Sequence, residues 1–184
     1  MLAIASAGAC PRKHPPGTGP CQAGPVRVVV QRALDASVTV GDEVVGSFTG
    51  PGLVVLAGVT HADTPAVAAA LAGRVYGLRI FKPDHLLAAG AALPVDAARE
   101  VSARDGCLPV LVVSQFTLYA STRKGRRPTW EAAAPGPIAE PIVEAFIAAL
   151  RDEGAPVHTG RFGADMQVNL TNDGPMTILI DSED

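Results

Sequence analysis

The chain reads as a mixed α and β domain in which a large, mainly antiparallel sheet curls into a barrel-like core under two covering helices. Three observations predict this. Short apolar, β-branched runs separated by Gly- and Pro-containing turns recur along most of the chain. Two segments carry apolar residues at helical spacing. The elements follow one another as hairpin, strand, helix, two strands, helix, hairpin, an order that layers helices on a sheet.

Residues 1–25 stand apart. Pro11, Pro15, Pro16, Gly17, Gly19, Pro20, Gly24 and Pro25 leave little to bury, which predicts a disordered extension ahead of a domain at 26–184. Strands are expected at 28–30, 37–40 and 44–48, with Gly41-Asp42 as a hairpin turn. Pro51-Gly52 reads as another turn before the apolar run 53–59. Asp63-Thr64-Pro65 is a helix start, and Val67, Leu71, Val75 and Leu78 continue it at helical spacing. A short strand at 78–81 stops before Pro83. Residues 84–107 are Ala-rich and predict a loop with one helical turn. The run 110–113 is a fully buried strand. A second helix is expected over 138–152, with Ile142, Phe146 and Leu150 as its stripe, Pro141 in its first turn and Gly154 at its end. Strands at 157–159, 166–170 and 176–180 complete the domain.

At 184 residues with a net charge of -3, the chain has room for a core and no global field for nucleic acid. Aromatics are 4%, too few for an extended base-stacking platform. The three cysteines form no CxxC pair and the four histidines have no metal-ligand spacing, so neither metal nor cofactor is expected. The sparse cysteines suit a reducing cytoplasm. No apolar run approaches the roughly 18 residues of a membrane span, and the N-terminus lacks the basic region of a signal peptide.

Chemistry concentrates where the buried strand turns polar, at Ser114-Gln115-Phe116-Thr117. Ser114 or Thr117 is a candidate nucleophile, but a hydroxyl needs a base at neutral pH. No histidine sits in a partner motif and no GxSxG elbow is present, so binding a ligand or the neighbouring strand is the alternative role. Close behind come Arg123, Lys124, Arg126 and Arg127, a cation cluster that beside a hydroxyl-rich strand end suits phosphate. In Gly160-Arg161-Phe162-Gly163-Ala164-Asp165-Met166 the glycines permit close approach, and Phe162 and Met166 are placed either to bracket a flat ring or to fill core. Asn172-Asp173-Gly174-Pro175 is a turn by its chemistry, read first as a hairpin turn and second as backbone presented to a ligand.

These four motifs, in this order, resemble the D-aminoacyl-tRNA deacylase (D-Tyr-tRNA deacylase) family, and the segments 27–32 and 78–81 resemble it too. The resemblance spans about residues 26–181. It implies a cytoplasmic homodimer that hydrolyses the ester between a D-amino acid, or glycine, and the terminal ribose of tRNA, sparing L-aminoacyl-tRNA as a proofreading step. It implies that Gly174-Pro175 is a cis pair reaching into the partner's site, where its carbonyls exclude an L side chain, and that Arg32 holds the pair. It assigns Ser114, Gln115 and Thr117 to catalysis and Phe116, Phe162, Gly163 and Met166 to the adenosine and aminoacyl pocket. Thr117 is the family's candidate nucleophile, and RNA-assisted attack through the ribose 2′-hydroxyl is the favoured family mechanism. Val26 stands where the family's initiator methionine falls, which predicts a start codon there. The segment 84–107 departs from the family pattern. Two other function classes stay open: a catalytically inactive tRNA- or nucleotide-binding protein, and a conventional serine or threonine esterase.

Overall fold

Two long strands, β1 (Arg27–Val40) and β2 (Glu43–Gly58), pair antiparallel along most of their length and turn at Gly41, whose φ is +60°. This is the computed structural model of the chain, and it describes residues 25–94, 99–123 and 125–184. The expected disorder of residues 1–25 falls, except for Pro25, outside the described residues, as does Lys124. Pro51-Gly52 is not a turn. Ala33 pairs with Gly52 and Asp35 with Thr49, so both residues belong to β2 and Pro51 sits where the ladder is already interrupted. A proline has no N–H to lose at such a bulge. Gly52 is required by packing, because a Cβ there would lie 2.7 Å from both Phe48 and the Pro109 carbonyl.

Helix α1 (Pro65–Tyr76) begins as the sequence predicts, with the Thr64 hydroxyl accepting from the Val67 N–H. It is followed by β3 (Arg79–Phe81), a short α2 (Pro83–Ala88) and β4 (Val101–Ser102), which pairs with β3. The expected loop at 84–107 therefore holds a third helix and a strand. β5 (Val110–Ser114) is buried up to its last residue. Helix α3 (Gly136–Asp152) starts two residues before the expected 138, so Pro141 lies in its interior. Ile142, Phe146 and Leu150 are buried as predicted. Truncating Phe146 to Ala would cost about 3–5 kcal/mol.

β6 (Val157–Thr159) and β7 (Gln167–Asp181) complete a mixed five-stranded sheet ordered β6-β5-β2-β1-β7. The long ladders β1–β2 and β1–β7 are antiparallel, whereas β2–β5 and β5–β6 are parallel. α1 and α3 cover one face, over Val28, Val30, Leu53, Val55, Val110 and Val112. On the other face the far halves of β1 and β2 bring Ala36, Val38 and Phe48 over Val54, Leu111 and Val113. The sheet thus curls without closing: among the described residues its edge strands β6 and β7 do not pair, so it is not a closed barrel. No helix among the described residues is long and apolar enough to cross a membrane.

The segment 172–175 is not a hairpin turn either. β7 runs through it, with both halves paired to β1. Gln31 pairs with Thr177 and Ala33 with Asn172, so Arg32 alone faces the four residues 173–176, which step out of the ladder.

Candidate active site

The parallel strand β5 delivers Ser114 to the sheet rim, where it pairs with Ala57. The Gln115 N–H donates to the Ala57 carbonyl at 2.7 Å, after which the chain turns into a 3₁₀ segment, Phe116–Tyr119. Gly58 makes this turn possible, since a Cβ would lie 3.1 Å from Gln115 O and from the Leu118 and Tyr119 side chains. The Gln115 amide donates to the Thr117 hydroxyl oxygen. Among the described residues, neither Ser114 nor Thr117 is hydrogen-bonded to an imidazole or a carboxylate. The first N–H groups of the turn, of Phe116 and Thr117, have no carbonyl within it to meet.

Two clefts meet at this rim. One, of about 270 Å³, is walled by Ala57, Val59, Ala139, Val143 and Phe162. The other, of about 220 Å³, is lined by Val113, Asp165 and Met166. Ser114, Gln115, Phe116 and Gly163 line both. Small residues keep the first cleft open: Ala134 is tied to the residue after β2 by its N–H to the Val59 carbonyl, and a Cβ on Gly136 would touch Phe162. The second depends on Gly160, where a Cβ would lie 2.5 Å from the Met166 sulfur. Phe116 is 57% exposed and stands edge-on to Trp130, with ring centroids 5.6 Å apart.

The structure therefore brings together Ser114, Gln115, Phe116, Phe162, Gly163 and Met166. Thr117 lines neither cleft and joins the group through Gln115. Arg123, Arg126 and Arg127 lie exposed in a loop closed by the Ser121–Thr129 backbone pair, and none has an ion-pair partner among the described residues. Tyr119 anchors the other side of the turn. Its hydroxyl donates to the Pro25 carbonyl, Arg27 lies 5.1 Å over its ring, and burial pushes its phenol up.

Gly174 and Pro175 line neither cleft. Their peptide bond is cis and both residues are exposed. Arg32, 5% exposed, donates to the Ile80 carbonyl and holds its Nε 2.6 Å from Asp173 Oδ2. The two atoms are not aligned as a hydrogen bond, so charge holds them. The Asn172 amide donates to the Arg32 and Met176 carbonyls, spanning the step. Sequence reasoning missed His85, whose Nε2 lies 3.1 Å from the same Asp173 oxygen. The sequence reading placed it in a loop with one helical turn at 84–107, which does not say what the ring faces. The small-residue wall of the first cleft was also missed, because Ala and Gly carry no chemical signature.

A family model described as D-Tyr-tRNA(Tyr) deacylase matches residues 29–181. The chain belongs to that deacylase family. The family's match takes in every candidate site residue, from Arg32 to Pro175. The chain is 57% identical over 159 residues to the D-aminoacyl-tRNA deacylase of Cutibacterium acnes, covering 86% of this chain and 99% of that one. It is 54% identical over 159 residues to the D-aminoacyl-tRNA deacylase of Kocuria rhizophila, covering 86% and 95%. Among solved structures, the c-Myc DNA unwinding element binding protein superposes with a TM-score of 0.70 at 34% identity, over 84% of this chain and 97% of that one. A probable eukaryotic D-amino acid tRNA deacylase, with a TM-score of 0.67 at 17% identity over 85% and 98%, shares the fold.

Proposed function

We propose that the protein is a D-aminoacyl-tRNA deacylase, an ester hydrolase that releases a D-amino acid or glycine from the terminal ribose of tRNA and spares L-aminoacyl-tRNA. The observation that carries this is the pair of clefts joined at Ser114, Gln115, Phe116 and Gly163 in a member of the deacylase family. The apolar cleft suits an adenosine, and its neighbour, with Met166 and the Ser114 hydroxyl, suits the aminoacyl group. The ester bond lies at the shared rim.

An aminoacyl ester is already labile, so positioning and polar stabilisation supply the rate. Gln115 fixes the Thr117 oxygen, and the leading N–H groups of the 3₁₀ turn offer donors to a developing oxyanion. The ribose 2′-hydroxyl assists attack, as the resemblance implies. The exposed guanidiniums of Arg123, Arg126 and Arg127, with Lys124 between them in the sequence, take tRNA phosphates.

Rejection of L substrates falls to Gly174-Pro175. That the pair lines neither of this chain's own clefts supports a homodimer in which it enters the partner's site. The row Leu179, Val29, Leu56 and Val113 crosses the sheet face away from the helices, through paired positions on β7, β1, β2 and β5. Leu179 is 58% exposed, and Val113 lines the second cleft, so a copy seated on this row lies beside that cleft. A thousandfold rejection needs about 4 kcal/mol, which backbone carbonyls deliver by clash more reliably than a mobile side chain. The setting is cytoplasmic translation proofreading, and the domain is 26–184.

Matched D-Tyr-tRNA and L-Tyr-tRNA incubated with the protein test the reading. Rapid ester loss from the D form alone is expected. Equal loss from both points to an unselective esterase, and loss from neither removes the hydrolase.

A further inference from the structure

The His85 side chain is 16% exposed, and its own helix accounts for only one of its two ring nitrogens. Its Nδ1 accepts from the Lys82 N–H at 2.9 Å, capping the first turn of α2. An Nδ1 that accepts carries no proton, so the proton of the neutral ring is on Nε2. That nitrogen lies 3.1 Å from Asp173 Oδ2, the oxygen that Arg32 Nε approaches from β1 at 2.6 Å, and neither contact is aligned as a hydrogen bond. Phe81 meets the ring edge-on, with centroids 5.8 Å apart, and fixes its plane. Asp173 Oδ2 is thus sealed between a guanidinium and an imidazole, and the next residue is Gly174.

Arg32 alone is a single tether. It fixes Asp173 in one direction only. A second contact from a separate element removes the freedom to swing about the first. The elements are β1 for Arg32 and α2 for His85, each held by its own packing: Arg32 donates to the Ile80 carbonyl, and Leu86 of α2 is fully buried. The protruding residues 173–176 have no ladder partners of their own, so their position rests on these side chains, on Asn172 and on Met176, which packs against the core.

We propose that His85 is a positioning residue for Gly174-Pro175: together with Arg32 it clamps Asp173, and so sets how strictly the exposed backbone of the step excludes an L-aminoacyl ester. This rests on the reading of Gly174-Pro175 as the stereochemical filter. A displacement of a few tenths of an ångström matters because exclusion by clash falls off steeply with distance.

The two ring nitrogens can be separated by substitution. His85→Asn keeps an acceptor near Nδ1 for the Lys82 N–H and loses the reach to Asp173. His85→Gln keeps a donor near Nε2 and loses the cap. The ratio of kcat/KM for D-Tyr-tRNA over L-Tyr-tRNA is measured for both, with thermal melts alongside. His85→Asn is expected to lower the ratio by about tenfold or more, through faster L hydrolysis, while His85→Gln stays within about threefold of the wild type. A helix-capping role alone predicts the opposite order. The inference is overturned if His85→Asn keeps the wild-type ratio, or if His85→Gln falls as far as His85→Asn. Should His85→Asn fail to melt cooperatively, His85→Gln decides: a lower melting temperature with an unchanged ratio supports the clamp, and a collapsed ratio removes it. A wild-type ratio near one instead sinks the reading of the filter itself.

Discussion

Arg32 meets Asp173 across a step in the sheet, with Nε 2.6 Å from Oδ2. One β1 residue faces four on β7, and the buried charge of that one residue holds the protruding four. Removing Arg32 leaves Asp173 Oδ2 buried without its cation. Arg32→Met is expected to cost about 3 kcal/mol in denaturant unfolding. Arg32→Lys should cost less, because a point charge reaches Asp173 but cannot also serve the Ile80 carbonyl with a planar fork. If both variants unfold like the wild type, the step is held by other contacts.

Gly174 is not needed by the packing of its own chain. A Cβ there meets nothing closer than the Asn172 Oδ1 at 3.6 Å, and its φ is not in the left-handed region. Gly174→Ala should therefore change stability by no more than about 1 kcal/mol. On D-Tyr-tRNA, kcat/KM should fall by about a hundredfold or more, because the added methyl occupies the space an incoming ester needs. Full activity in Gly174→Ala would mean that nothing approaches this backbone.

Legibility in the sequence followed the range of the interaction. The apolar run of β5, the Thr64 cap and the Ile142, Phe146, Leu150 stripe are local patterns, and the structure has them where they were read. Pro51-Gly52 and the segment 172–175 have turn chemistry, but proline and glycine serve a bulge as well as a reversal. Which of the two forms depends on β1, the strand both segments pair with. The motifs at Ser114-Gln115-Phe116 and Phe162-Gly163 marked the rim of the clefts, whereas the walls of Ala134, Gly136 and Ala139 were silent. His85 was illegible for the same reason as the bulges. Its meaning lies in Asp173, a residue of another element.

Thr117 decides between covalent and positional catalysis. Its oxygen accepts from Gln115, and no imidazole or carboxylate is bonded to it among the described residues. Thr117→Ala should retain hydrolysis of D-Tyr-tRNA within about tenfold, measured as single-turnover ester loss. A loss of about ten-thousandfold, with a trapped aminoacyl-enzyme in the wild type, would make Thr117 a nucleophile after all.

Trp130 is the chain's single tryptophan, and its edge-on neighbour Phe116 lines both clefts. A ligand in either cleft that moves Phe116 changes the surroundings of the indole. A non-hydrolysable D-aminoacyl adenosine should alter tryptophan emission in a saturable way, and Phe116→Leu should abolish the change while leaving the emission of the free protein close to normal. Saturable binding by another method without a change in emission would show that Phe116 stays fixed when the cleft fills.

The pH dependence of stability should carry a signature of His85. Burial is the largest cause holding its ring below the usual imidazole range, and the Arg32 guanidinium on β1 acts in the same direction; Asp173 on β7 opposes both. On its own side of the fold Lys82 lowers it and Asp84 raises it, and the Phe81 ring adds no charge. A histidine with a depressed folded pKa binds its proton more readily when unfolded, so unfolding takes up a proton in the window between the two values. Stability is then fully present above the unfolded value of about 6.5 and is lost as pH falls from there through the folded value. Other groups also titrate, so the comparison is with His85→Gln, which lacks the imidazole. Between about pH 7.5 and pH 5, the wild type should lose more of its denaturation free energy than His85→Gln does. Parallel profiles for the two proteins would mean that the ring takes up its proton as easily in the fold as in the unfolded chain, and that the contact with Asp173 balances the burial and the Arg32 charge.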